Sequence, residues 1–158
     1  MGLYPPLIND ISTDLQNPPA FYYHAKEEPK RSWVYPQGQA AQQKEHYPQV
    51  RPLDGPPGIS PQVVFEQVQE LAKGQKDWTI LFVDEKALRL EGMATTAILR
   101  FRDDFVIEVR TVGEGGDSAH AQVHMRSKSR LGRSDFGANA KRIVGFFNQI
   151  KDRLSKGQ

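Results

Sequence analysis

The residue types best suited to binding chemistry lie in one basic stretch of this sequence, between Arg126 and Asp135. It reads Arg-Ser-Lys-Ser-Arg-Leu-Gly-Arg-Ser-Asp, and a pattern typical of a helix follows it. Gly132 allows the backbone to turn, and Ser134 is a residue type that caps helices. Arginines beside the free N–H groups of a helix N-terminus form an anion-binding geometry. We therefore predict a site for a small anion, built from Arg126, Ser127, Ser129, Arg130, Gly132, Arg133, Ser134, Asn139 and Arg142.

The same arginines also have a structural interpretation, which stays open at this point. Asp135 falls in the first turn of the predicted helix and could itself occupy the positive helix end. A polar cluster near the N-terminus could bind the arginines through charge-assisted hydrogen bonds. This cluster comprises Asp10, Ser12, Thr13 and Asp14, whose side chains also build turns by bonding their own backbone. We expect at least two of the arginines at 126, 130, 133 and 142 to bond to Asp10, to Asp14, to Asp135 or to backbone carbonyls of the N-terminal part.

A hydrolase is the alternative function. Ser127 or Ser129 together with His124 supplies the residue types of a nucleophile and its base, acting on a small anionic substrate. No Gly-x-Ser-x-Gly turn, which exposes the nucleophile of many hydrolases, surrounds either serine. Because serines on a strand are commonly structural, no catalytic residue is assigned.

The sequence contains few residues with the type and spacing of metal ligands. It contains no cysteine, which excludes a thiolate zinc site and a cysteine nucleophile. His120 and His124 lie four residues apart in a predicted strand, and roughly 13 Å at ~3.3 Å per residue is too far for one ion. We expect neither a metal nor a cofactor.

A strand and a helix must position the basic stretch. Ala121, Val123 and Met125 alternate with polar residues, which predicts a strand over 119–129. The opposite face of that strand carries His120, His124, Arg126, Lys128 and Arg130. A helix beginning at Ser134 is predicted by an apolar stripe of Phe136, Ala140, Ile143, Phe147, Ile150 and Leu154.

The remaining core elements follow from local patterns. Ser60-Pro61 is typical of a helix start, and Gly74 of its end. Short alternating runs between residues 78 and 110 predict strands, with Asp103-Asp104 as a hairpin turn. We expect an α+β fold of two layers, in which an antiparallel sheet of four to five strands carries both helices on one face.

The N-terminal part has a different composition. All eleven prolines lie between Pro5 and Pro61. Proline removes a backbone donor, so we expect an extended arm with few ladder bonds. The expected organisation is a proline-rich arm over 1–59 packed on a core over 60–158, together forming one domain.

Aromatic residues favour an ordered arm over a disordered tail, because large aromatic side chains are sparse in disordered segments. We predict that Phe21 and either Trp33 or Tyr35 are buried against the core. The glutamine-rich residues 36–44 are expected to form a mobile loop.

Composition excludes several partners. The net charge of +2 over 158 residues is too small to indicate a nucleic-acid partner, although residues 126–158 hold nine cationic and two acidic side chains. The longest apolar run, Ile80–Val83, is far short of the ~20 residues that span a bilayer. We expect a monomer that does not itself insert into a membrane and does not bind nucleic acid.

Several motifs together resemble the bacterial and plastid family called domain of unknown function 1499. They are Asp-Ile-Ser-Thr-Asp at 10–14, Asn-Pro-Pro-x-Phe at 17–21, Tyr47-Pro48, Trp78, Phe-x-Asp-Asp at 101–104, and residues 126–137 with Asn139 and Arg142-Ile143. The resemblance covers about residues 8–150. It implies a bacterial cell-envelope or periplasmic setting, in which a longer form can carry membrane helices, while a cytoplasmic location stays open. It implies no established reaction, cofactor or catalytic residue.

From these observations we expect a soluble accessory or binding domain of a bacterial cell-envelope protein. Its partner would be a small anion or an envelope protein.

Overall fold

The computed structural model describes residues 5–116 and 119–156 of the chain. Within these residues the chain forms six strands and four α-helices. The strands are β1 (Asp10–Ser12), β2 (Leu53–Asp54), β3 (Trp78–Asp84), β4 (Arg89–Thr95), β5 (Arg102–Val112) and β6 (His120–Ser129). The helices are α1 (Tyr23–Glu27), α2 (Ala40–His46), α3 (Pro61–Lys73) and α4 (Ala138–Lys156), with a 3-10 turn at Gln37–Gln39 before α2.

The six strands form one antiparallel sheet in the order β1-β6-β5-β4-β3, and β2 also pairs with β6. The predicted α+β class is confirmed, but the sheet has more strands than the four to five expected. The additional strands β1 and β2 come from the proline-rich N-terminal part. They are three and two residues long, too short for an alternating pattern to reveal them.

Helices α3 and α4 cover one face of the sheet. They pack on alternating positions of β5 and β6 in the main core. These positions are Phe105, Ile107, Val109, Ala121, Val123 and Met125. Helix α3 begins as predicted, since the Ser60 hydroxyl accepts a hydrogen bond from the Val63 N–H and Pro61 is the first helical residue.

The predicted turn at Asp103-Asp104 is wrong. Both residues are buried within β5, and the chain turns at residues 96–101 instead. Asp103 pairs with Arg142 (2.9 Å) and Asp104 with His24 (3.1 Å). These partners are remote in sequence, so tertiary pairing overrides the local preference of aspartate for turns.

The N-terminal segment, residues 5–59, is less extended than expected, because it contains α1 and α2. Residues 36–44 were expected to form a mobile loop, but they form the 3-10 turn and most of α2. The Gln43 side chain is buried, accepts a hydrogen bond from the Ser12 N–H (2.9 Å) and donates one to the Ser12 carbonyl (2.8 Å). This amide takes the place of a neighbouring strand on the outer side of β1.

The predicted burial of aromatic residues in this segment is confirmed. Phe21, Trp33 and Tyr35 are buried, and the first two pack with Val106. Val106 alternates with the core residues of β5, so this second cluster lies on the sheet face opposite the helices. Both faces of the sheet are therefore covered.

In the ranges that the structure describes, no helix has the length and apolar character needed to cross a bilayer.

Candidate functional site

Strand β6 divides the predicted site residues between the two faces of the sheet. Arg126 bonds to the N-terminal segment on one face, and Ser127 bonds to α4 on the other. Ser129 shares the face of Ser127 and bonds to the same helix. The residues predicted as one anion site therefore belong to two separate clusters.

Arg126 is buried and makes four hydrogen bonds inside the protein. Its guanidinium group donates to both carboxylate oxygens of Asp10, at 2.9 and 2.8 Å. It also donates to the carbonyls of Pro19 and Trp33 and lies over the Phe21 ring. The expected contact between Arg126 and Asp10 is present, and the side chain is 2% exposed, so it is not accessible to a ligand. Among the described residues, Arg130 and Arg142 bind other partners, so the expectation that at least two of the arginines make such contacts is wrong.

Arg130 takes part in a charged network beside Arg126. It pairs with Asp104 at 2.9 Å and with Glu28 at 3.0 Å. His24 lies between Asp104 (3.1 Å) and Glu91 (2.8 Å). Burial alone lowers the pKa of His24, but the hydrogen bonds and charges of the two carboxylates outweigh it and raise the pKa to about 9.

The other residues of the N-terminal polar cluster bind elsewhere. Asp14 pairs with Arg110 at 2.7 Å rather than with the basic stretch. Burial alone raises the pKa of Asp14, but hydrogen bonds from the Asn17 amide and Arg110 lower it below its ordinary value. The Ser12 hydroxyl donates to the Asp14 carbonyl, and the Thr13 hydroxyl lies 3.1 Å from His124 Nδ1. Ser12 and Asp14 therefore build a local turn.

The second cluster joins β6 and β5 to α4. The Ser127 hydroxyl donates to Asn139 Oδ1 (2.6 Å), and Arg142 donates to both residues. Asn139 Nδ2 donates to the Ser129 hydroxyl (2.9 Å), and Arg142 also pairs with Asp103. Like Arg130, Arg142 binds an aspartate of β5 that the sequence had assigned to a turn.

The predicted helix start at Ser134 is wrong, because α4 begins at Ala138. The Ser134 hydroxyl donates to the Pro6 carbonyl. The Asp135 carboxylate accepts hydrogen bonds from the backbone N–H groups of Gly137 (2.7 Å) and Asn139 (3.3 Å). The helix N-terminus therefore already holds an anion of its own chain.

Backbone geometry explains the late start of α4. Gly132, Phe136 and Gly137 have φ values of 84°, 52° and 85°, and a right-handed helix cannot include such residues. The segment 130–137 is consequently a loop, which we call the β6–α4 loop.

The residues of the alternative hydrolase are not brought together. His124 bonds to Thr13 and Gln122, whereas Ser127 and Ser129 bond to Asn139 on the other face of the sheet. Burial, followed by the charge of Arg110, lowers the pKa of His124 to about 4.

A cleft of about 700 Å³ lies beside the β6–α4 loop. One wall is the β4–β5 turn, residues 96–101 with the adjoining Arg102. The other wall is the β6–α4 loop with the first turn of α4, including Lys141. We call this space the loop cleft. Gly132 and Ser134 line it, whereas Arg133, which lies between them in the chain, is exposed and is not one of the lining residues.

Sequence reasoning missed the apolar side of this cleft. Leu99 and Phe101 were read as strand positions, but both are exposed in the β4–β5 turn. The signal was present, since Ile98-Leu99 places two large apolar residues in succession and breaks the period of two expected for a strand with one buried face.

Among residues 5–116 and 119–156, no three histidine, aspartate or glutamate side chains are grouped so that they could hold a metal ion.

The chain was compared with curated proteins and with models of protein families. No curated protein matches the chain. The family model described as "Protein of unknown function (DUF1499)" matches residues 10–150, a range that includes the six described strands, α3, most of α4 and the two loops of the cleft. The chain therefore belongs to the DUF1499 family.

Proposed function

We propose that this protein is a binding module for a small anionic ligand and that the ligand occupies the loop cleft. One observation carries the proposal. Arg126, Arg130 and Arg142 are all paired within the protein, whereas Arg102 and Lys141 line the cleft and are exposed.

The cations at the cleft have no acidic partner. Across residues 5–116 and 119–156, no ion pair involves Arg102 or Lys141. Two carboxylates line the same cleft, but Asp103 is paired with Arg142 and Asp135 with backbone N–H groups. The unbalanced charge at the cleft is therefore positive, which favours an anion.

The arrangement supports binding rather than hydrolysis. A serine hydrolase needs its nucleophile within hydrogen-bond reach of a base. Here the serines of β6 and His124 lie on opposite faces of the sheet, each bonded to other residues. We accordingly propose an accessory role without catalysis.

We also propose the cell envelope or periplasm as the setting, on the family resemblance. Fractionation of cells that express the natural full-length protein tests this part independently of ligand binding.

The binding proposal is tested by titrating inorganic phosphate, sulfate and acetate into the isotope-labelled protein and following backbone NMR shifts. We expect the largest shifts at residues 96–102 and 129–141. The double variant Arg102→Gln/Lys141→Gln should lose about tenfold in affinity, because two charge-assisted contacts are removed. Added salt should weaken binding, since exposed charges are screened.

A matched control removes the same charges elsewhere. Arg51 and Lys151 are exposed, and Lys151 lies on α4 about 15 Å from Lys141 at ~1.5 Å per residue. Arg51→Gln/Lys151→Gln should bind like the unaltered protein. Equal losses in both double variants, or shifts confined to another surface, would contradict the proposal.

A further inference from the structure

We propose that the ligand of the loop cleft is a single-chain amphiphile, an anionic headgroup with an unbranched apolar tail. A long-chain carboxylate, alkyl sulfate or alkyl phosphate has this chemistry. The inference rests on the proposed function for the headgroup, and the tail is the new element.

The first observation is exposed apolar surface. Among the described residues, eleven large apolar side chains are exposed, and five of them line the loop cleft. These are Ile98 (90% exposed), Phe136 (79%), Leu131 (73%), Leu99 (69%) and Phe101 (49%). Single exposed apolar residues are ordinary on a protein surface, but a contiguous group of this kind marks a binding surface.

The second observation is backbone strain in both loops that form the walls of the cleft. Phe136 has a φ of 52°, and Arg100, between Leu99 and Phe101, has a φ of 56°. The left-handed region is unfavourable for a bulky residue. The Phe136 side chain is exposed, so packing within the protein does not compensate for this strain. Strain of this kind, retained without a packing gain, points to a function of the exposed ring.

The shape and charge of the cleft select the kind of ligand. Its volume of about 700 Å³ lies within the ~300–1,000 Å³ typical of small-molecule sites. Apolar side chains on both walls match a tail, and Arg102 and Lys141 match an anionic group. A flexible chain can follow both walls.

A chain-length series tests the inference. Straight-chain carboxylates and alkyl sulfates of six to twelve carbons are titrated as monomers, below the concentration at which they form micelles, with acetate and inorganic sulfate as tail-free references. We expect the affinity to rise about two- to fourfold for each added methylene until the cleft is filled. NMR shifts should extend to residues 98, 99, 131 and 136.

Two variants separate the tail from the headgroup. Leu99→Ser/Leu131→Ser should flatten the dependence on chain length and leave acetate binding unchanged. Arg102→Gln/Lys141→Gln should lower the affinity for every chain length by a similar factor. Val34→Ser, at an exposed position outside the cleft, is the matched control and should change neither. Circular dichroism of each variant confirms that it is folded.

The other outcomes are distinguishable. Anion binding at the cleft without chain-length dependence overturns this inference and leaves the proposed function intact. No binding of any anion overturns both. Binding to vesicles of anionic phospholipid without binding of monomers assigns the apolar residues to a membrane surface and overturns the inference. The protein could instead self-associate without binding an amphiphile, and Leu99→Ser/Leu131→Ser could abolish this self-association. That result assigns the exposed apolar residues to contact with a second copy and also overturns the inference.

Discussion

At the scale of single residues, the charged side chains under the N-terminal segment are paired with one another inside the protein. Glu91, Asp104 and His24 are buried, and each is paired with opposite charge. Burial alone raises the pKa of both carboxyls, but their hydrogen bonds and cationic neighbours outweigh it and lower the pKa below the ordinary value. A buried charge whose partner is removed is costly, so protonation of His24 is coupled to folding.

The pKa of His24 predicts a loss of stability at alkaline pH. The pKa is about 9 in the folded protein against 6.5 for an ordinary histidine. The folded state therefore retains a proton that the unfolded state releases, and the stabilisation is complete below pH 6.5 and lost as pH rises through 9. The free energy of unfolding should fall by about 3 kcal/mol over this range.

Urea unfolding between pH 6 and pH 9.5, compared with His24→Gln, measures this effect. The variant should be less stable at pH 6 and less dependent on pH over the alkaline range. A wild-type free energy of unfolding that stays constant across this range would contradict the assignment of charge to His24.

At the scale of elements, the two loops of the cleft carry strain that the strands and helices do not. Segment 96–101 connects β4 to β5, and segment 130–137 connects β6 to α4. Each contains a non-glycine residue with positive φ. The elements on either side are anchored by buried contacts. The exposed side chains of these loops can therefore be altered without removing a buried contact of the core.

Phe136→Gly is predicted to stabilise the protein and weaken amphiphile binding. Glycine relieves the left-handed strain, which is worth ~1–2 kcal/mol. It also increases the entropy of the unfolded chain, which costs ~0.4–1 kcal/mol. We expect a net gain of about 0.5–1 kcal/mol in the free energy of unfolding.

Phe136→Ala is the comparison, because it removes the ring and keeps the strain. Both variants should bind a ten-carbon alkyl sulfate more weakly than the unaltered protein, and only the glycine variant should be stabilised in thermal or urea unfolding. A glycine variant less stable than the alanine variant would refute the assignment of strain to this position.

At the scale of the whole molecule, the sheet lies between two covering layers of different character. The face under α3 and α4 is mainly apolar, whereas the face under the N-terminal segment holds the network of His24, Arg126 and Asp104. The N-terminal segment also supplies β1 and β2 to the sheet. We therefore expect it to be required for the fold, although its composition resembles that of a flexible extension.

Deletion of residues 1–35 is predicted to destabilise the protein severely. It removes β1 and the buried Phe21, and it leaves Arg126 without Asp10. Loss of the acidic partner alone costs ~3–5 kcal/mol, and loss of a buried phenylalanine costs ~3–5 kcal/mol. The truncated chain should show no cooperative thermal transition by circular dichroism.

The double variant Asp10→Leu/Arg126→Met in the full-length chain is the control. It leaves no unpaired charge and should remain folded with a much smaller loss of stability. A truncated protein that melts at the temperature of the full-length chain would show that the N-terminal segment is not part of the folded unit.

The sequence alone determined the features that depend on neighbouring residues. Ser60-Pro61 predicted the start of α3, and the alternation around Val123 predicted β6 almost to its ends. The family was also readable from local motifs. Helix capping, helical periodicity and strand alternation depend on residues close together in the chain, so they can be recognised directly in the sequence.

Only the tertiary structure decided which cations are free. Arg126, Arg130 and Lys141 look equivalent in the sequence, yet the first two bind Asp10 and Asp104, which lie far away in the chain. Asp103 likewise lies in a strand and pairs with the distant Arg142, and the positive φ values of Phe136 and Gly137 delay the helix start to Ala138. A charge becomes a binding group only where folding leaves it unpaired, and that depends on partners brought together by the whole chain rather than on its neighbours in sequence.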